Sequence, residues 1–130
     1  MPVRVVDASA LAAVLFNEPG AGRAAAKLTD ATLVAPTLLN YEVASICLKK
    51  LKLHPKQRKE ILAAYRLAKN LAIEFVELDY EAVLELAELC KLTIYDAAYL
   101  WLAKTLSADV VTLDRQLAKA VARFAKEKSK

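Results

Sequence analysis

Cysteine, glycine and proline are scarce in this chain of 130 residues, which has two Cys, two Gly and four Pro. So little Gly and Pro leaves few residues for flexible linkers, disordered segments or a Gly-rich phosphate-binding loop. The two cysteines, Cys47 and Cys90, stand singly inside apolar helical patterns, which favours small buried hydrophobic residues over a disulfide or a metal-binding pair. The chain is therefore expected to consist mainly of helices and short strands.

Long apolar runs are also missing. No segment approaches the roughly 18 residues that a membrane span requires, and the N-terminus lacks the basic stretch and apolar core of a signal peptide. We therefore expect a cytoplasmic protein that makes no membrane contact. Histidine occurs only once, as His54, which we interpret as a turn residue rather than a catalytic base.

Hydrophobic residues are plentiful, at 57% of the chain. A chain of this length and composition can fill one core, and we expect a single domain spanning residues 1–130. The net charge is +4 and the pI is near 9.1. This modest basic excess permits a polyanionic partner without requiring one.

Short apolar strand patterns alternate with helical patterns along the chain. We predict strands at 3–6, 32–35, 73–78 and 110–112, and helices at 10–17, 22–29, 36–50, 55–69, 80–89, 93–106 and 115–125, with a lysine-rich turn at 49–54. Strands separated by helices imply a mainly parallel sheet with helices on both faces. The predicted fold class is α/β, a three-layer α/β/α sandwich with a central, mainly parallel sheet of four to five strands. No fifth strand is evident after Ala122.

Two carboxylates stand where predicted strands end. Asp7 directly follows the first strand and Asp114 the fourth, at the carboxyl edge where open α/β sheets place their chemistry. Both also precede predicted helices, and Asp is a good N-cap. Capping therefore explains either residue taken alone.

Two further carboxylates lie on apolar helix faces, where an unpaired charge is costly. Glu42 borders a stripe of Leu and Ile, with an ion pair to Lys49 or Lys50 as the alternative explanation. Asp96 lies in line with Tyr99 on an inward-looking face, and Thr93-x-x-Asp96 also has the spacing of a capping box.

Four carboxylates brought together without partners would repel one another and raise each other's pKa values. A hard divalent cation resolves this conflict, since Mg²⁺ binds a few carboxylates together with waters and substrate phosphate. The absence of His and Cys near these positions argues against Zn²⁺. The sequence therefore predicts a site for Mg²⁺ or Mn²⁺ at the carboxyl edge of the sheet.

Four segments carry a family resemblance that covers almost the whole chain. They are, in chain order, Val5-Val6-Asp7-Ala8-Ser9-Ala10, Asn40-Tyr41-Glu42-Val43, Tyr95-Asp96-Ala97-Ala98-Tyr99-Leu100 and Val111-Thr112-Leu113-Asp114. In these segments the chain resembles PIN domains, most closely the VapC toxins of toxin–antitoxin pairs. The resemblance implies a Mg²⁺- or Mn²⁺-dependent endoribonuclease that hydrolyses RNA by metal-activated water.

The resemblance also implies roles for particular residues. Asp7, Asp96 and Asp114 would bind metal, and Glu42 would bind an ion or accept a proton. Ser9 and Thr112 would be polar supports for the carboxylates. The family further implies a homodimer and an inhibitory partner, a VapB-type antitoxin.

Phosphate contacts would require basic residues near the acidic edge, and the candidates are Lys49, Lys50 and Lys52. A solvated basic face explains each of these lysines equally well. Two other functions remain open at this point. One is a PIN nuclease of RNA processing outside a toxin–antitoxin pair, and the other is a non-catalytic interaction domain.

Overall fold

Four parallel strands form the centre of the molecule in the computed structural model, which describes residues 1–125. They are β1 (Val3–Val6), β2 (Thr32–Ala35), β3 (Ile73–Phe75) and β4 (Asp109–Val111). Their order across the sheet is β3-β2-β1-β4, and every neighbouring pair is parallel. β1 therefore lies inside the sheet, which agrees with its apolar, β-branched sequence.

Seven α-helices surround this sheet in the described residues. They are α1 (Ala8–Phe16), α2 (Ala21–Leu28), α3 (Leu38–Leu53), α4 (Arg58–Arg66), α5 (Tyr80–Cys90), α6 (Ile94–Leu106) and α7 (Arg115–Phe124). No helix within residues 1–125 has both the length and the apolar character needed to cross a membrane.

The core lies on both faces of the sheet because successive strand residues point to opposite sides. Val6 and Leu33 pack with residues of α1, α2 and α3. Val5 and Val34 pack on the other face with residues of α6 and α7. The predicted α/β fold with helices on both faces of a parallel sheet is thus confirmed. The segment considered for a fifth strand extends into residues 126–130, which lie outside the described part.

The lysine-rich segment predicted as a turn is helical instead. α3 continues to Leu53, and the break comes only at His54. Lysine and leucine are good helix formers, so the segment offers no local reason to stop. The following Pro55 supplies one, because proline disfavours the α conformation in the residue before it. His54 accordingly has φ −131° and ψ 63°.

Two further boundaries differ from the prediction. The helix expected over 55–69 is divided into 3₁₀ turns at Pro55–Gln57 and Leu67–Asn70, with α4 between them. β3 ends at Phe75 rather than at residue 78. Its partner β2 ends at Ala35, whose carbonyl accepts the Val76 N–H at 3.0 Å, so β2 offers no further residue for pairing.

The chain order creates a crevice beside β1. From β1 the chain passes to β2 and β3 on one side of the sheet, and then returns to place β4 on the other side. Open α/β sheets bind ligands at such a switch point, outside the carboxyl ends of the strands. Here those ends lead into Asp7 after β1 and Thr112 after β4. The backbone N–H of Asp7 donates to the carbonyl of Val111 and joins the two ends.

Candidate active site

Asp7 lies at the floor of this crevice and is the only charged side chain buried within residues 1–125, with 4% of its surface exposed. Its Oδ1 accepts hydrogen bonds from the Ser9 hydroxyl at 2.8 Å and from the Ala10 backbone N–H at 3.0 Å. Its Oδ2 accepts from the Thr112 hydroxyl. The residue caps α1, as the sequence allowed, and its carboxylate is fixed through both oxygens.

Ser9 and Thr112 connect the loop after β1 to the loop after β4. The Ser9 Oγ accepts from the Leu113 N–H at 2.8 Å and lies 3.3 Å from the Thr112 Oγ1. The Thr112 Oγ1 in turn accepts from the Asp114 N–H at 3.0 Å. These two hydroxyls therefore hold Asp7 and Asp114 in a defined relation, although the residues are more than one hundred positions apart.

Glu42 lies in the second turn of α3 and is half-buried. Its Oε1 accepts a hydrogen bond of 2.6 Å from the hydroxyl of Tyr99 on α6. The alternative of an ion pair with Lys50 is wrong, because Lys50 pairs with Glu18 instead. Glu42 is thus held by a neutral donor and keeps its negative charge uncompensated.

Asp96 lies in the first turn of α6 and is also half-buried. Its backbone N–H donates to the Thr93 Oγ1 at 3.1 Å, so Thr93 caps α6 as the spacing indicated. The Asp96 carboxylate itself accepts no hydrogen bond from residues 1–125. Capping therefore accounts for Thr93, and it leaves the inward-facing acid unexplained.

Asp114 is exposed and caps α7. Its Oδ1 accepts from the backbone N–H groups of Gln116 at 2.8 Å and Leu117 at 3.0 Å. The cap uses one carboxylate oxygen, so the other remains available for a ligand. The N-cap explanation is confirmed here and does not exclude a second role.

The electrostatics show that the four carboxylates are neighbours. Burial raises the pKa of Glu42 most, and the charges of Asp7, Asp96 and Asp114 raise it further. Burial also raises the pKa of Asp96, followed by the charges of Asp114 and Asp7. For Asp7, burial raises the pKa although hydrogen bonds from Thr112, Ala10 and Ser9 oppose the shift. A nearby cation would relieve this repulsion.

The donor set fits a hard divalent cation. It consists of carboxylate oxygens alone, with hydroxyls behind them, which is the ligand chemistry of Mg²⁺ and Mn²⁺. Within residues 1–125, no group of three or more His, Cys, Asp or Glu side chains is arranged as a ready-made metal cluster. An ion bound here would therefore be held partly through water molecules, which Mg²⁺ commonly keeps in protein sites.

The lysines predicted to contact RNA lie toward the far end of α3. Lys49 and Lys52 are exposed, about 10 and 15 Å along the helix axis from Glu42 at a rise of 1.5 Å per residue. Lys50 forms its ion pair with Glu18 and also lies over the ring of Phe16, with its Nζ 5.1 Å from the ring centre. Lys50 therefore has a local structural role.

Two contributors to the site were missed from the sequence. Tyr99 was noted only as a helical neighbour of Asp96, although its spacing of three residues places both on one helix face. Gly20 also supports the site, because a Cβ there would lie 2.9 Å from the Leu113 side chain. Nothing in the sequence connects Gly20 with Leu113, which is far away along the chain.

The protein is an α/β protein with a parallel sheet and an acidic crevice at the switch point of that sheet. Comparison with known proteins identifies its family. The model of the PIN domain matches residues 4–123, so the chain belongs to the PIN-domain family. PIN domains are typically metal-dependent nucleases. The crystal structure of PAE2754 from Pyrobaculum aerophilum is similar, with a TM-score of 0.69 and 27% identity over 91% of this chain and 85% of that chain. No curated protein matches the sequence.

Proposed function

We propose that this protein is a Mg²⁺- or Mn²⁺-dependent endoribonuclease and the toxin of a VapBC-type toxin–antitoxin pair. The observation that carries the nuclease proposal is the uncompensated negative charge at the crevice. Three of its four acids have pKa values raised by burial and by one another's charges. A protein gains nothing from such repulsion unless a cation binds there.

The four acids have two kinds of role in the proposed reaction. Asp7, Asp96 and Asp114 would hold the divalent ion, with Ser9 and Thr112 fixing the rotamer of Asp7. When bound, the ion would lower the pKa of a water molecule and neutralise negative charge on the phosphodiester. Glu42 would accept the proton of the attacking water, for which its raised pKa is an advantage near neutral pH.

Asp96→Asn tests the nuclease proposal. We expect RNA cleavage to fall at least about 100-fold, because about 3 kcal/mol of transition-state stabilisation would be lost. Cleavage of fluorescent single-stranded RNA would be measured with Mn²⁺, with Mg²⁺ and with EDTA. The matched control is Asp79→Asn, which makes the same change at the N-cap of α5, outside the crevice.

Four outcomes would contradict the assignment in whole or in part. Cleavage by Asp96→Asn at the rate of the wild type, or cleavage that persists in EDTA, would exclude the proposed metal site. Equal cleavage of a single-stranded DNA of the same sequence would leave a nuclease but not a ribonuclease. A non-catalytic interaction domain would show no cleavage at all.

The toxin role is supported by apolar side chains that are exposed on two helices and suit a protein partner. On α3 these are Tyr41, Leu48 and Leu53, and on α5 they are Tyr80, Leu84 and Leu89. We propose that they contact a second copy of the chain in a homodimer and a VapB-type antitoxin. Lys49 and Lys52 remain candidates for RNA contacts.

Growth of a bacterial host distinguishes the toxin from an RNA-processing nuclease with the same site. Expression of the wild-type chain should arrest growth, whereas Asp96→Asn should not. A small DNA-binding protein encoded by the adjacent reading frame should restore growth when it is co-expressed. Normal growth with active enzyme would favour RNA processing.

A further inference from the structure

One buried hydroxyl joins two of the helices that form the crevice. Tyr99 lies on α6, three residues after Asp96, and only 2% of its surface is exposed. Its hydroxyl donates to the Glu42 Oε1 on α3 at 2.6 Å.

This arrangement determines where the Glu42 carboxylate lies. The Glu42 Oε1 is committed to Tyr99, while its Oε2 accepts no hydrogen bond from residues 1–125. The tyrosine therefore ties the orientation of the Glu42 carboxylate on α3 to α6, the helix that carries Asp96. A buried aromatic ring has few rotamers, so it is a stiff support for this purpose.

We propose that Tyr99 is a positioning residue, whose hydroxyl holds the Glu42 Oε1 so that the Oε2 is available to the divalent ion or to the attacking water. This inference rests on the proposed nuclease function and adds a residue to its site. Tyr99 touches neither substrate nor ion and acts only through Glu42. Outer groups of this kind change metal affinity or activity about 10- to 100-fold when they are removed.

Tyr99→Phe removes the hydroxyl and retains the ring. The matched control is Tyr65→Phe, since Tyr65 is a half-buried tyrosine on α4 to which neither proposal gives a role. Mn²⁺ affinity would be measured by calorimetry, and kcat and KM on single-stranded RNA. For Tyr99→Phe we expect kcat to fall at least about tenfold and Mn²⁺ binding to weaken, with KM unchanged and with the control equal to wild type. Wild-type kcat and Mn²⁺ affinity in folded Tyr99→Phe would overturn the proposal.

A double-mutant cycle with Glu42→Ala separates positioning from general stabilisation of the fold. If Tyr99 acts through Glu42, Tyr99→Phe causes no further loss of kcat in the Glu42→Ala background. Losses that multiply would overturn the proposal. Should Tyr99→Phe fail to fold, Glu42→Asp breaks the same contact by shortening the half-buried partner. It should lower kcat at least about tenfold, and unchanged kcat would overturn the proposal.

The two proposals fail in different ways. A wild-type protein that binds Mn²⁺ but cleaves no RNA would contradict the nuclease function, and the Mn²⁺ affinity of Tyr99→Phe would still decide the role of Tyr99. An active wild type with a neutral Tyr99→Phe would contradict only the positioning role. A wild type that binds no Mn²⁺ would overturn both.

Discussion

Asp7 caps a helix and is also held by two hydroxyl groups, so both of its carboxylate oxygens are engaged. It caps α1 through the Ala10 N–H, and it accepts hydroxyl hydrogen bonds from Ser9 and Thr112. A capping carboxylate is usually solvated, whereas this one is buried with the charges of other acids nearby. The cap explains why an acid is tolerated at the end of β1, and the hydroxyls explain how its orientation is held.

Thr112→Val tests this support at the level of a single residue. The change preserves the shape of the side chain but leaves the Asp7 Oδ2 and the Asp114 N–H without their partner. We therefore expect the free energy of unfolding to fall by about 1–3 kcal/mol. Urea denaturation would measure the loss, with Thr112→Ser as the control that retains the hydroxyl. If Thr112→Val unfolds with the same free energy as the wild type, the Thr112 hydroxyl does not support Asp7 in the way argued above.

The turn between α1 and α2 is the element that supports the loop after β4. Gly20 has φ +91°, a conformation that side chains with a Cβ rarely adopt. Its bare Cα also leaves room for Leu113, whose backbone N–H donates to Ser9. A glycine far from the acids in sequence thus helps to determine the geometry of the crevice.

Gly20→Ala should therefore be destabilising, by about 1–2 kcal/mol from the left-handed backbone alone. It should also lower cleavage, because the added methyl displaces Leu113. Gly22→Ala is the matched control, since Gly22 lies inside α2 with no atom within 4 Å of the added Cβ. There the exchange should be neutral or stabilise by up to about 1 kcal/mol. Thermal unfolding of both variants checks the pair, and equal effects would refute the argument.

The whole molecule should respond to pH through its acidic crevice. Asp7, Glu42 and Asp96 have folded-state pKa values raised above the ordinary 3.8 of Asp and 4.5 of Glu. Between the ordinary and the raised values the folded state binds more protons than the unfolded state. The contribution of these groups to stability is therefore complete below the ordinary pKa and is lost as pH rises through the raised values.

At pH 7.5 the crevice should accordingly contribute less to the stability of the metal-free protein than it does below the ordinary pKa values, and Mn²⁺ should restore the loss. At about 100 times its dissociation constant, Mn²⁺ adds about 2.7 kcal/mol to the free energy of unfolding. Urea denaturation with EDTA and with Mn²⁺ measures both effects. The same measurements on Asp96→Asn separate the crevice from other titrating groups. This variant should lose less stability as pH rises and gain less stability from Mn²⁺. Equal responses of the two proteins would exclude the crevice as the source.

The sequence by itself determined the order of elements and the parallel sheet, because strand periodicity, helix caps and turn residues are local signals. It also singled out the four acids as a predicted site. It also carried the signal that α3 extends to Leu53, because the run of good helix formers is interrupted only by Pro55, and the prediction of a turn at 49–54 overlooked that signal. Tertiary structure alone decided that Tyr99 binds Glu42, that Lys50 pairs with Glu18 and that Gly20 makes room for Leu113. Each of these contacts joins residues distant in the chain, and their distances exist only after the helices have packed against the sheet.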